Sequence, residues 1–167
     1  MRLRALEQRD APLMLEWMHD RDVVEYLSAA FASKTEEDCA RFIAASRDDP
    51  DNRNLAIADE TDTYMGTVSL KHIDRQRKDA EFAISIRRCA MGKGLSKFAM
   101  AEILRMGFED LGLKRIYWCV CPENRRAVRF YDKCGYSRVS PETLDAGRWY
   151  TQDQIESYLW YCVSSSI

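Results

Sequence analysis

Between Asn54 and Ile86 the chain carries three β-rich runs, Asn54 to Ala58, Tyr64 to Ile73 and Asp79 to Ile86. Polar turns at Asp59-Glu60-Thr61-Asp62 and Asp74-Arg75-Gln76-Arg77-Lys78 join them. Connections this short make the runs antiparallel neighbours in a meander. The period then changes. Leu95, Phe98, Ala99, Ile103, Leu104, Met106 and Phe108 follow i, i+3, i+4 spacing up to Leu111-Gly112, the pattern of a long helix with a glycine stop. Arg115 to Val120 returns to strand. A meander that feeds one strand–helix–strand crossover leaves few topologies open.

The flanks fill in an α+β pattern. Leu3 to Glu7 reads as a short strand, and Asp10 opens a helix with Pro12 in its first turn, where a missing N–H does no harm. A second helical piece spans Asp22 to Leu27, and a third is introduced by Thr35, which with Asp38 forms an approximate capping box before Cys39, Phe42 and Ile43. Beyond Val120, Asn124 to Cys134 reads as an amphipathic helix with Gly135 as its exit, and Tyr136 to Val139 and Ile155 to Val163 read as the last strands. The expected order is β-α-α-β-β-β-α-β-α-β-β. No repeat or Pro/Ser-rich linker divides the chain, so residues 1–167 are expected to form a single domain.

Composition removes several function classes. With 25 Lys+Arg against 27 Asp+Glu the net charge is −2, which lacks the electrostatic footprint of a nucleic-acid binder. At 46% hydrophobic and 31% charged residues, the balance is that of a globular protein rather than a disordered one. No apolar run is long enough to cross a bilayer, and Met1-Arg2-Leu3-Arg4-Ala5 lacks the apolar stretch of a signal peptide; no membrane partner and a cytoplasmic location are the expectation. Six cysteines without a CxxC pair, and only His19 and His72 as imidazoles, argue against a metal site. In Tyr117-Trp118-Cys119-Val120-Cys121, alternation is expected to bury one sulfur and expose the other, as packing residues.

The segment Arg87-Arg88-Cys89-Ala90-Met91-Gly92-Lys93-Gly94-Leu95-Ser96 joins a strand to the longest helix. Two glycines allow close backbone approach, and the unpaired N–H groups of a helix start can cradle a phosphate. Arg87, Arg88 and Lys93 add positive charge. The spacing is not that of a nucleoside-triphosphate loop, and a strand within a meander is not a dinucleotide-binding unit.

Together with Pro122-Glu123-Asn124-Arg125-Arg126-Ala127-Val128-Arg129-Phe130-Tyr131-Asp132-Lys133-Cys134-Gly135-Tyr136, this segment resembles the GNAT superfamily of acyl-CoA-dependent N-acetyltransferases. Their motifs are a Q/R-x-x-G-x-G/A loop and a later E-N-x-x-A-x-x-x-Y-x-x-x-G-F/Y helix. Gly92 and Gly94 match the first, with Cys89 in place of Gln or Arg; Asn124, Ala127, Tyr131, Gly135 and Tyr136 match the second. The resemblance implies a GNAT-like α+β domain whose central twisted sheet is mixed, mostly antiparallel and flanked by helices. It also implies acetyl-CoA as cosubstrate and an amine acceptor, and allows a homodimer.

Roles follow from the resemblance. Ile84, Ser85 and Ile86 would offer backbone groups to the pantetheine arm, as a sheet edge receives a strand. Met91, Gly92, Lys93, Gly94, Leu95 and Ser96 would hold the pyrophosphate, and Asn124 and Ala127 would meet the cofactor arm. Tyr131, with an ordinary pKa of about 10, would donate a proton to the departing thiolate, unless it is a core aromatic. An alkylamine is mostly protonated at neutral pH, so transfer to nitrogen needs a base. Glu81 is the candidate, directly or through water; the alternative is a solvent-facing strand glutamate in the alternation Glu81, Ala83, Ser85. His19 and His72 are alternative bases, each otherwise a surface residue.

The opening segments, including Trp17 to Leu27, resemble the branch with ribosomal-protein, spermidine and amino-sugar acetyltransferases. Trp17, Tyr26 and Phe31 could line an acceptor pocket, and Asp20, Asp22 and Glu25 could attract a cation. The segment Ser140 to Gln154 departs from the short loop of that branch and could shape a specific acceptor site. The implied activity is acetyl transfer to a polyamine, amino sugar or peptide α-amine; the alternative is a non-catalytic acyl-CoA-binding regulatory module.

Overall fold

The structure is a computed structural model that describes residues 1–27 and 30–166. Among the described residues seven strands form one sheet in the order β1-β2-β3-β4-β5-β7-β6. They are β1 (Arg2–Ala5), β2 (Arg53–Ala58), β3 (Tyr64–Asp74), β4 (Asp79–Ile86), β5 (Arg115–Val120), β6 (Ser137–Arg138) and β7 (Leu159–Ser164). β2, β3 and β4 are the expected meander, and β4 to β5 is the parallel crossover in an otherwise antiparallel sheet.

Six helices flank the sheet among the described residues: α1 (Ala11–Met18), α2 (Arg21–Val24), α3 (Glu36–Ala45), α4 (Leu95–Arg105), α5 (Arg125–Lys133) and α6 (Gln152–Ser157). α4 packs Ala99, Met100 and Ile103 against Leu70, Phe82, Ile116 and Trp118 in the larger core. Met14 and Trp17 of α1 pack with Ile43 of α3 on Ala56 and Tyr64, and Trp17 Nε1–H donates to the Tyr64 hydroxyl at 2.9 Å. The capping box at Thr35 is formed: its hydroxyl accepts from Asp38 N–H at 3.2 Å and the Asp38 carboxylate accepts from Thr35 N–H at 2.9 Å.

Four expectations need correction. The order written above counts two helices between β1 and β2, whereas all three segments read there are helical among the described residues, the second a single turn. α4 ends at Arg105 and a π-helical turn, Met106–Asp110, carries the apolar stripe on toward Gly112. Ile155 lies in α6, because Thr151 and Gln154 make a second capping box there and β7 starts only at Leu159. Cys119 and Cys121 do not divide between core and solvent; residues two apart share a face, and both are half-buried.

Candidate active site

β4 and β5 pair over only three rungs, Asp79↔Arg115, Ala80↔Ile116 and Glu81↔Tyr117. Above Glu81 they part, although each keeps its outer neighbour: β4 stays paired to β3 as far as Ile86, and β5 to β7 as far as Val120. The gap is a cavity of about 440 Å³ with Phe82–Ile86 on one wall and Trp118–Cys121 on the other. Asn124, Ala127 and Tyr131 of α5 reach it, as do Met91, Gly92 and Ser96 at the entrance to α4.

The loop before α4 has the conformation its glycines suggested. Gly92 and Gly94 sit at φ +76° and +80°, left-handed values that an L side chain adopts only with strain. The first backbone bond of α4 runs from Phe98 N–H to the Gly94 carbonyl at 3.1 Å, so the N–H groups of Leu95, Ser96 and Lys97 form its open positive end. The Leu95 side chain is buried in the core, which leaves its N–H as the group it can offer; Lys93 and Gly94 are exposed outside the cavity wall.

Arg87 and Arg88 are not free charges. Arg87 donates twice to Glu16 at 2.9 Å, and Arg88 pairs with Asp20 and Asp22, tying the loop to α1 and α2. Asp20 and Asp22 are therefore already neutralised by a guanidinium and are poor attractors for a further cation. Sequence reasoning passed over Arg126, whose guanidinium lies 2.6 Å from Met91 Sδ at the cavity mouth. Its place two residues after Asn124 was the available signal.

Asn124 caps α5, its Oδ1 accepting from Ala127 N–H at 3.2 Å, which leaves its amide N–H groups to the cavity. Tyr131 is buried against Trp118 and Tyr161, with ring centroids 5.3 Å from each. Burial raises its pKa above the ordinary tyrosine value, so the hydroxyl keeps its proton at neutral pH. It is both a core aromatic and a cavity-lining hydroxyl.

Glu81 is 3% exposed, which removes the solvent-facing reading. Lys71 Nζ lies 3.3 Å from Oε1, and the Tyr150 hydroxyl donates a short hydrogen bond to the same oxygen. Oε2 is buried without a hydrogen bond among the described residues, and His72 Nε2 stands 3.7 Å away. His72 is no simple surface residue: its ring stacks on Trp149 at 3.8 Å, and burial lowers its pKa. The segment 140–154 thus supplies both Tyr150 and Trp149 to the surroundings of Glu81. His19 is not among the residues lining the cavity, and its Nε2 lies 2.8 Å from the Lys34 carbonyl oxygen.

Tyr26 stands at the cavity mouth, whereas Trp17 does not reach it. Trp17 lines a second cavity of about 380 Å³ with Phe31, on the sheet face covered by α1 and α3.

The family model described as an acetyltransferase (GNAT) domain matches residues 1–137. The chain belongs to the GNAT acetyltransferase family. This N-acetyltransferase is 27% identical over 139 residues to an uncharacterized N-acetyltransferase of Bacillus licheniformis, covering 81% of this chain and 78% of the relative. It is 28% identical over 134 residues to the spermidine N(1)-acetyltransferase of Vibrio cholerae, covering 80% and 77%. The crystal structure of spermidine N-acetyltransferase from Vibrio cholerae in complex with CoA and spermine shares the fold, with a TM-score of 0.79 at 23% identity over 99% of this chain and 95% of that one.

Proposed function

We propose that this enzyme moves an acetyl group from acetyl-CoA directly to a primary amine, such as a polyamine, amino sugar or peptide α-amine, in the cavity between β4 and β5. The observation that carries the reading is the parting of the two strands immediately above Glu81, with Tyr131 reaching the same cavity. The residues suit a CoA-type ligand: an unpaired β4 edge from Phe82 to Ile86 for an amide-bearing arm, and a left-handed glycine loop opening onto free helix N–H groups for a pyrophosphate. Ile84, Ser85 and Ile86 would hold the arm, Met91 to Ser96 the phosphates, and Asn124 and Ala127 the arm where it passes α5. Arg126 adds the nearby charge that Arg87 and Arg88 have committed elsewhere. When bound, acetyl-CoA supplies an acetyl group already activated as a thioester.

The chain's own groups divide the proton work. Glu81 takes the amine's proton at Oε2, while Lys71 and the Tyr150 hydroxyl hold Oε1. The Tyr131 hydroxyl, protonated at neutral pH, donates toward the leaving sulfur. The two thiols in the cavity wall are not competing nucleophiles, because burial pushes Cys119 up to about 12 and raises Cys121 above the ordinary thiol value, and this favours direct transfer. Curated relatives named for spermidine support a small amine as acceptor.

Thiol release from acetyl-CoA, measured against polyamines, amino sugars, amino acids and short peptides with an enzyme-only blank, tests the reading. Amine-dependent release is expected. CoA binding without release from any amine would make the chain a binding module.

A further inference from the structure

The cavity beside α1 and α3 says more about the acceptor. It adjoins the β4–β5 cavity along one face of the sheet, where the rungs Lys71↔Glu81, Ser69↔Ala83 and Thr67↔Ser85 lie in register, and Lys71, Ala83 and Ser85 belong to both walls. An amine reaching Glu81 has room there for the rest of its body. Met14, Trp17, Met18 and Phe31 supply apolar walls. The polar floor is already satisfied: Ser69 Oγ–H donates to Asn54 Oδ1 at 2.7 Å, and the Thr67 and Tyr64 hydroxyls share a 2.7 Å hydrogen bond.

The charges decide which body fits. Among the described residues lining this cavity Asp38 is the one carboxylate, and it is spent on Arg41 at 2.5 Å and on capping Thr35 N–H at 2.9 Å. The other charged side chains in the wall are the cations Lys34 and Lys71, the latter already paired with Glu81 Oε1 at 3.3 Å. A second ammonium carried beyond Glu81 would give up water against apolar surface with no uncommitted carboxylate in the wall to replace it, and with Lys34 as a like charge. The space, about 380 Å³, is more than twice the ~150 Å³ of an apolar cavity that holds benzene.

We infer that the acceptor is a small primary amine with a single positive charge and an aromatic or branched-aliphatic body, rather than a polyamine. This rests on the N-acetyl-transfer reading, and Glu81 remains the one carboxylate that meets the amine.

The test has two arms on the full chain. In the first, kcat/KM is measured with saturating acetyl-CoA for phenethylamine, isoamylamine, ethylamine and spermidine. In the second, phenethylamine and spermidine are titrated by calorimetry without acetyl donor. Phenethylamine is expected to exceed spermidine by about tenfold or more in kcat/KM, the scale on which apolar pockets discriminate by a methylene or more. It is also expected to bind more tightly. Phe31→Ala should lower the phenethylamine-to-ethylamine ratio of kcat/KM by about tenfold. A preference for spermidine in either arm, or a ratio that Phe31→Ala leaves unmoved, overturns the inference. If no amine is acetylated although CoA binds, the transfer reading fails and the calorimetric arm alone decides: tighter phenethylamine binding supports the site, and its absence rejects it.

Discussion

The two ends of β4 differ in what they face. From Asp79 to Glu81 the strand is buried and paired to β5 throughout, with Asp79 and Glu81 also paired to β3, and Asp79 sits under two guanidiniums, Arg148 Nη2 at 3.1 Å and Arg115 Nη2 at 3.5 Å from Oδ2. From Phe82 to Ile86 it is paired to β3 alone, and its other edge opens on the cavity. The first end spends its polar groups on other parts of the protein; the second leaves its backbone groups for a ligand. Glu81 stands at the boundary and shares both characters, with one oxygen held and the other unpaired. A lower end anchored by strand pairing and ion pairs supports an open upper end.

That comparison can be broken most sharply at its boundary. Glu81→Gln should lower kcat/KM by about 10²–10⁴-fold with the fold retained, because a general base is worth that much, and the deficit should deepen as pH falls and more of the amine is protonated. A pH–rate profile unchanged in shape would remove Glu81 from the mechanism. At the anchored end, Asp79→Ala leaves Arg148 and Arg115 without their buried partner and should cost about 3–5 kcal/mol, read from the urea midpoint. A midpoint unchanged within error would show that the lower rungs are held by something else.

On the open side, Tyr131→Phe should slow transfer by about 10²-fold while leaving CoA affinity intact. Since burial raises the Tyr131 pKa, wild-type kcat should not fall as pH passes about 10; a fall there that is absent in Tyr131→Phe would contradict this environment. Gly94→Ala forces an alanine to φ +80° at a cost of about 1–2 kcal/mol and should weaken CoA binding roughly tenfold by calorimetry. Unchanged affinity would take the loop out of the cradle.

The smallest effect concerns His72. Burial lowers its pKa in the folded state, so the unfolded chain binds the proton first as pH falls. Its contribution to stability is therefore present above about pH 6.5 and lost as pH drops below that. The acid-side loss of Tm should be shallower in His72→Asn, which also tolerates the left-handed backbone at φ +52°.

Much of this was legible because it is local. The capping box at Thr35, the turn of glycines before α4 and the cap at Asn124 each depend on residues within four of one another. The crossover followed from loop length. The helix at Ile155 was hidden because apolar alternation into β7 masked its cap, and Cys119 of β5 and Cys121 just past its end were misplaced by treating neighbours two apart as opposite faces.

By itself, the sequence determined the meander, the crossover and the motif pair, since periodicity, turn chemistry and capping act over a few residues. Only the tertiary structure decided that β4 and β5 part above Glu81 and that Tyr150 and Lys71 hold its Oε1. It also decided that Arg87 and Arg88 are spent on α1 and α2, and that a mostly apolar cavity, without a free carboxylate among the described residues lining it, lies behind Lys71. These are pairings between distant parts of the chain. Which of several available charges meet, and which surfaces stay uncovered, depends on how the helices and the 140–154 segment pack on the sheet, and no local pattern carries that information.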